Sequence, residues 1–146
     1  SEYLKIMGIY NKGFVPKVYP EKFLKYYEKI YEAIKKGYIL SAHDVSQGGI
    51  GVALSESLFA NEKGAFIKIK SSLRWDEFLF SESAGRIIVE VEKDKKEDFE
   101  KIFNGLPLEF IGEVIPEKEL RIEFNGEIII KLKIEKMYRE FSKPLI

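Results

Sequence analysis

The 146-residue sequence predicts an α+β fold in which helices pack on a mixed β-sheet in a split β-α-β arrangement. Short β-branched strand patterns alternate with helical patterns between residues 38 and 115, with one strand-to-strand step in the middle. Asn125-Gly126 then lies between two apolar runs, which is a strong signal for a β-hairpin. With 45% hydrophobic residues, the chain can form the core of a single domain.

The chain is predicted to begin with a connector over residues 1–19. It contains the tail of a helix that ends at Gly8, after which Gly13 and Pro16 interrupt regular structure. The domain itself is predicted to cover residues 20–146.

The first half of the domain is predicted as helix, strand, helix, strand. Residues 21–36 carry apolar side chains at spacings of three and four, which is typical of one helical face, and Gly37 ends this helix. Residues 38–43 are nearly all apolar, so this strand is expected to be buried on both faces. A glycine-rich helix at 48–60 precedes a strand at 65–70, whose alternating pattern predicts one solvent-exposed face.

The second half is predicted to end in a hairpin and a closing helix. The predicted ranges are a helical turn within 72–80 capped by Ser71 or Ser72, a strand at 87–91, a helix at 95–104, a strand at 108–115 interrupted at Gly112, hairpin strands at 120–124 and 128–132, and a helix at 134–141 that Pro144 ends.

Composition excludes several classes of function. Lys and Arg number 24, as do Asp and Glu, and this balance argues against a nucleic-acid-binding protein. The chain has no cysteine and one histidine, which excludes disulfides and cysteine nucleophiles and makes a multi-histidine zinc site unexpected. No apolar stretch approaches the roughly 20 residues of a membrane span. We therefore expect a cytoplasmic protein.

A first polar cluster follows the strand at 38–43. Its side chains that can act on a ligand are His43, Asp44, Ser46 and Gln47, followed by Gly48 and Gly49. The two glycines permit close backbone approach, and the N–H groups that begin the next helix attract an anion or phosphate.

Each residue of this cluster also has a structural interpretation. Asp44 is either a magnesium ligand or a turn residue that caps the helix. Ser46 and Gln47 are either donors to a phosphate or ribose or simple turn residues. For His43 we prefer a structural, hydrogen-bonded role to that of a general base.

A second polar cluster, Glu82, Ser83 and Arg86, lies in a turn before the strand at 87–91. Arg86 is suited to bind an anion or substrate, with Glu82 and Ser83 beside it. The alternative is an internal Glu82–Arg86 salt bridge that braces the turn. Glu56, on the glycine-rich helix, is a third candidate, with simple solvation as its alternative.

Together the two clusters resemble the signature of the C-terminal domains of the aminoimidazole ribonucleotide (AIR) synthetase, or PurM-like, superfamily. The stretch from Ala42 to Gly49 with the helix up to Glu56 carries the general resemblance. The stretch from Leu79 to Arg86 is similar to one branch, the phosphoribosylformylglycinamidine synthases. Ser1-Glu2-Tyr3-Leu4 and the 134–144 segment are similar to that branch as well, so the resemblance spans nearly the whole chain.

The resemblance implies a last, C-terminal-type domain of a purine-biosynthetic, ATP-dependent carbon–nitrogen ligase. That family converts formylglycinamide ribonucleotide, ATP and glutamine into the amidine, ADP, phosphate and glutamate. It implies Mg²⁺ and ATP or ADP as cofactors, with preceding domains and a glutaminase that supplies ammonia as partners. No nucleic acid or membrane is expected as a partner.

By the same resemblance, Asp44 would be a magnesium ligand, and the residues that contact nucleotide or substrate would be Ser46, Gly48, Gly49, Glu82, Ser83 and Arg86. No catalytic residue is expected in this chain, and the domain alone is expected to be inactive. Gln47 departs from the acidic residue common at its position. Two alternatives stay open: the C-terminal domain of selenophosphate synthetase or a hydrogenase maturation factor, and a purely structural interdomain module.

Overall fold

The computed structural model describes residues 1–9, 17–60 and 62–143. Gly13, Pro16 and Pro144, which the sequence analysis assigned to the connector and to the end of the chain, lie outside these residues. No helix in the described ranges combines the length and the apolar character that crossing a bilayer requires.

The described residues form six α-helices and six β-strands. In chain order they are α1 (Glu2–Ile6), α2 (Pro20–Lys35), β1 (Ile39–Asp44), α3 (Gly49–Leu58), β2 (Gly64–Ile69), α4 (Trp75–Phe80), β3 (Ile87–Val91), α5 (Lys96–Ile102, after a 3-10 turn at Lys93–Lys95), β4 (Gly112–Ile115), β5 (Glu119–Phe124), β6 (Glu127–Lys133) and α6 (Ile134–Phe141).

A four-stranded mixed sheet carries the main core. Its strand order is β4-β2-β5-β6, with β2 and β5 parallel and the two outer strands antiparallel to them. The alternating sequences of β2 and β5 direct one set of side chains to the helices, so that Ile67 lies opposite Ile122 in the parallel pair. Ile69, Leu79 and Leu120 complete the most deeply buried part of this core.

A separate two-stranded sheet, β1 with β3, supports the region of the polar clusters. The strands are antiparallel, with Ala42 opposite Val89 and Asp44 opposite Ile87. A second, smaller core of Ala33, Phe99 and Phe103 lies between α2 and α5, and side chains of β1 and β3 pack against it.

Several predicted elements are confirmed almost residue for residue. Strand β3 and helix α6 have the predicted bounds. The hairpin turns at Asn125 and Gly126 with φ angles of 51° and 90°, which is the left-handed conformation that this dipeptide favours. Strand β2 has the predicted exposed face, and the sheet it belongs to is mixed as expected.

Three local predictions are wrong. Strand β1 is not buried on both faces: among the described residues it pairs with β3 alone, and Leu40 is 55% exposed. The strand predicted at 108–115 forms a ladder only from Gly112 onward. Neither Ser71 nor Ser72 caps α4, whose N-cap is Arg74, because the Ser71 hydroxyl accepts the Leu73 N–H at 3.1 Å instead.

Candidate functional site

The fold brings the two polar clusters side by side. Strand β1 ends at Asp44 opposite the first residue of β3, Ile87, and the Val45 N–H donates to the Arg86 carbonyl at 2.9 Å. The turn after β1 and the turn before β3 therefore lie at the same end of the two-stranded sheet. The two clusters, about forty residues apart in sequence, are therefore in direct contact.

These turns form one wall each of an open cleft of about 360 Å³. Asp44 and Ser46 line it from the first cluster, Glu82 and Arg86 line it from the second, and Tyr27 of α2 adds an aromatic side. Asp44 and Ser46 are exposed, whereas Arg86 is half-buried. The cleft thus combines two carboxylates, a hydroxyl, a guanidinium and an aromatic ring.

Glu82 occupies the position where the sequence predicts a bound anion. One carboxylate oxygen, Oε1, accepts the Gly48 N–H at 3.1 Å and the Glu2 N–H at 2.8 Å. Burial acts to raise the pKa of Glu82, but these two hydrogen bonds and nearby positive charges outweigh it and lower the pKa overall. The N–H of Gly48, directly before α3, therefore already has an internal carboxylate as its acceptor.

Arg86 is held by backbone rather than by Glu82. Its Nη2 donates to the Ser81 carbonyl and its Nε to the Ser83 carbonyl, the latter at 3.3 Å. Burial lowers the pKa of the guanidinium. Within residues 1–9, 17–60 and 62–143, Arg86 makes no ion pair, so the alternative of a Glu82–Arg86 salt bridge is not formed.

His43 connects β1 to α3. Its Nδ1 lies 2.7 Å from the Asp44 carbonyl oxygen, and because that oxygen can only accept, Nδ1 carries the proton. Its Nε2 lies 3.4 Å from a carboxylate oxygen of Glu56, and both side chains are about two-thirds buried. Glu56 therefore faces the histidine instead of being simply solvated.

Gly49 allows α3 to touch the end of α4. Its φ angle is +71°, and a Cβ atom there would lie 2.5 Å from the Leu79 carbonyl oxygen and 2.6 Å from that of Ser81. This close approach is made to the protein's own backbone. Gln47 is exposed beside it, and Ser83 contributes its carbonyl to Arg86.

The contribution of α1 to this region was not predicted from the sequence. The Tyr3 ring stacks on Phe80 with centroids 4.8 Å apart, and its hydroxyl donates to the buried Asp76 at 2.9 Å. The available signal was the Ser1-Glu2-Tyr3-Leu4 stretch. It supported the family resemblance, but no contact or ligand-binding role was predicted from it. Tyr27 was missed because its helical spacing assigned it only to an apolar stripe.

The described residues contain no group of three or more carboxylate and imidazole side chains placed to hold a metal ion. Asp44 and Glu82 are the carboxylates that line the cleft, and one oxygen of Glu82 already accepts two backbone N–H groups. A metal ion at Asp44 would need further oxygen ligands from a bound molecule or from another part of a larger protein.

The family profile for the AIR synthase related protein, C-terminal domain, matches residues 2–125, which is most of the chain. The chain belongs to this family. The resemblance based on the two clusters is therefore confirmed, and α1 lies within the matched range of the AIR synthase related domain.

The curated relatives of this domain are much longer proteins. It is 39% identical over 137 residues to the phosphoribosylformylglycinamidine synthase subunit PurL of Caldanaerobacter subterraneus, covering 92% of this chain and 19% of the relative. It is 36% identical over 151 residues to PurL of Aquifex aeolicus, covering the whole chain and 20% of the relative. The chain thus spans about a fifth of the length of the relatives it matches.

Solved structures agree on the fold. T. maritima PurL complexed with FGAR superposes with a TM-score of 0.75 at 20% identity, covering 84% of this chain and 22% of that one. E. coli HypE, a hydrogenase maturation protein, superposes with a TM-score of 0.56 at 20% identity, covering 73% and 39%. The α+β, PurM-like fold is therefore confirmed.

Proposed function

We propose that this domain is part of a phosphoribosylformylglycinamidine synthase, the ATP-dependent ligase that converts formylglycinamide ribonucleotide, ATP and glutamine into the amidine. The relatives named PurL support this assignment at 34–40% identity over nearly the whole chain. Because the domain spans a fifth of those relatives, we propose that it is inactive alone. It would act with the other domains of the enzyme and with a glutaminase that supplies ammonia, in the cytoplasm.

The cleft is the proposed site for the nucleotide or the ribonucleotide substrate. The half-buried Arg86 guanidinium carries this proposal, because it faces the cleft, has no ion-pair partner among the described residues and uses only Nε and Nη2 for backbone contacts. An arginine with unused donors beside a cleft is suited to bind a phosphate. The Ser46 hydroxyl and the Tyr27 ring would contact the same ligand.

Mg²⁺ fits this site only together with a phosphate ligand. Magnesium in proteins is commonly held by one or two carboxylates, substrate phosphates and water. Asp44 provides one such carboxylate at the rim of the cleft. We propose that Asp44 contacts the ion of a magnesium–nucleotide complex, and the bound ion would neutralise phosphate charge.

Other domains would complete the cleft along α2. Four large apolar side chains on one side of this helix are exposed: Leu24, Tyr27, Tyr31 and Ile34. Because Tyr27 also lines the cleft, a domain that covered this stripe would close the site on that side. This is consistent with relatives five times longer than the chain.

A structural interdomain module is the second proposal. Glu82 and Gly48, which the resemblance assigned to ligand contact, bind each other instead, and Gly49 contacts the backbone of α4. These contacts favour the interpretation that the two turns stabilise the fold. The site would then hold neighbouring domains or a tightly bound nucleotide without taking part in turnover.

Asp44→Ala in the full-length enzyme separates the two proposals. If the cleft serves catalysis, turnover falls by about a hundredfold or more while the thermal unfolding midpoint is unchanged. If turnover is unchanged and the midpoint falls, the structural proposal is supported. Asp94→Ala is the matched control, at an exposed aspartate whose ion pair among the described residues is with its neighbour Lys95.

Titration calorimetry of the 146-residue chain with Mg-ADP separately tests whether other domains are needed to complete the nucleotide site. We expect weak or no binding, because part of the site belongs to other domains. Tight binding would contradict the requirement for those domains and would leave the assignment of the cleft intact.

A further inference from the structure

One carboxylate oxygen joins three parts of the fold around the cleft. Glu82 follows α4, and its Oε1 accepts N–H groups from Glu2 in α1 and from Gly48 directly before α3. The side chain is about three-quarters buried, so water competes poorly for these hydrogen bonds. Removing this oxygen would leave two backbone donors in different elements without an acceptor.

Helix α1 also has a second attachment beside Glu82. Tyr3 stacks on Phe80 with its ring inclined by only 14°, and its hydroxyl donates to Asp76. Asp76 is fixed in turn by Arg74, whose Nε donates to it at 2.9 Å. Helix α1 is therefore fastened to α4 immediately before the turn that carries Arg86.

We propose that Glu82, which also lines the cleft, acts as a positioning residue that fastens α1 and the Gly48 turn to the Arg86 turn. Its carboxylate takes the place an anion would have at the start of α3. A ligand phosphate is thereby directed toward Arg86 and Ser46. Because α1 is held by the same oxygen, displacement of α1 changes the geometry of the cleft.

This inference does not depend on which ligand the cleft binds, and it is testable without one. Both hydrogen bonds end on Oε1, and the amide oxygen of glutamine can accept the same two donors without carrying charge. Glu82→Gln should therefore preserve the arrangement, whereas Glu82→Ala should release it. A role in binding a ligand through negative charge would give no such rescue in the free protein.

The experiment is amide NMR of the isotope-labelled 146-residue chain. We expect the Glu2 and Gly48 amide resonances to move with one common midpoint as the pH falls from 7 to 3. Both transitions should vanish in Glu82→Gln with amide protection retained. In Glu82→Ala, both amides should exchange at least about tenfold faster, and the Arg86 Nε–H resonance should shift.

Other titratable groups near this arrangement must be separated from Glu82. They are the Glu2 carboxylate, which Glu2→Gln removes from every protein compared, Lys5 and the Ser1 amino group beside Glu82, Asp44 across the cleft, and Asp76 beneath Tyr3. Glu77→Gln, at an exposed carboxylate of α4, is the control and should leave both transitions in place.

Different midpoints for the two amides, or transitions that persist in Glu82→Gln, would overturn the proposal. So would unchanged amide exchange in a folded Glu82→Ala protein. If Glu82→Ala does not fold, the glutamine variant alone decides, since it preserves the hydrogen-bonding shape of the side chain.

Discussion

At the scale of single residues, the glycines of the first cluster serve contact between protein segments. Gly49 lies against the carbonyl oxygens of Leu79 and Ser81, and the Gly48 N–H binds the Glu82 carboxylate. A glycine-rich turn before a helix predicts close approach, but the sequence cannot specify whether a ligand or another segment approaches. Here the approaching segment is the end of α4.

Gly49→Ala is expected to destabilise the domain far more than Gly37→Ala. Both glycines have nearly the same left-handed φ angle, +71° and +69°, so both variants lose about 1 kcal/mol of conformational free energy. Only the Gly49 variant adds a backbone clash, because no atom of the described residues lies within 4 Å of a Cβ atom at Gly37. We expect a total loss of about 3 kcal/mol or more for Gly49→Ala, measured by urea unfolding. Equal losses would contradict the close contact.

Asp76 should make stability depend on acid pH. The hydrogen bonds and charge of Arg74, with a hydrogen bond from Tyr3, lower the pKa of this buried carboxyl from 3.8 to about 2. A lowered pKa in the folded state stabilises the protein above pH 4, and this contribution is lost as the pH falls toward 2.

Asp76→Asn should therefore cost about 2 kcal/mol of unfolding free energy at pH 7 and much less near pH 2. Urea unfolding at several pH values measures the difference, with Asp94→Asn as the exposed control. A loss that is the same at pH 7 and pH 2 would show that the stabilisation is not electrostatic.

At the scale of elements, the sequence correctly predicted those helices, strands and turns that depend on neighbouring residues in the chain. The Asn125-Gly126 hairpin, β3 and α6 have local signals that decide them. The burial of β1 on both faces was predicted wrongly. An apolar run indicates that a strand packs against other elements, but it does not indicate how many strands or helices pack against it. Pairing partners are set by distant segments, which no local pattern encodes.

The most buried strand of the larger sheet should be the most sensitive to loss of side-chain volume. Ile122 of β5 is fully buried between β2 and β6, whereas Ile128 of β6 is 50% exposed. We expect Ile122→Ala to cost about 3–4 kcal/mol and Ile128→Ala less than about 1 kcal/mol. Chemical denaturation of the two variants measures this contrast, and similar losses would contradict the assignment of β5 to the core.

At the scale of the whole molecule, the cleft lies on the smaller of two sheets. The sequence located both polar clusters, and the family resemblance associated them. It could not show that Glu82 binds backbone N–H groups instead of Arg86, because that choice depends on the antiparallel register of β1 and β3 and on where α1 lies. The position of Tyr27 at the cleft likewise depends on how segments distant in sequence pack together, so the local sequence could not predict it.

The two sheets should differ in how readily they open. Strands β2 and β5 have neighbours on both edges, while β1 has one neighbour among the described residues. In native-state hydrogen exchange, we expect amides of β1 to exchange at least about tenfold faster than those of β2 and β5. Uniform protection across both sheets would indicate that the molecule opens as a single unit.

The incomplete pairing of β1 has a further consequence for handling the protein. Within residues 1–9, 17–60 and 62–143 no strand pairs with its outer edge, so the backbone donors and acceptors there can pair with an extended segment, and Leu40 lies exposed on the same strand. The pairing of β1 with β3 on the opposite edge has an irregular register between Ile39 and Ser41. At high concentration, the first route to aggregation should therefore be strand addition at β1, and a lysine in place of Leu40 would be the simplest way to keep the protein in solution.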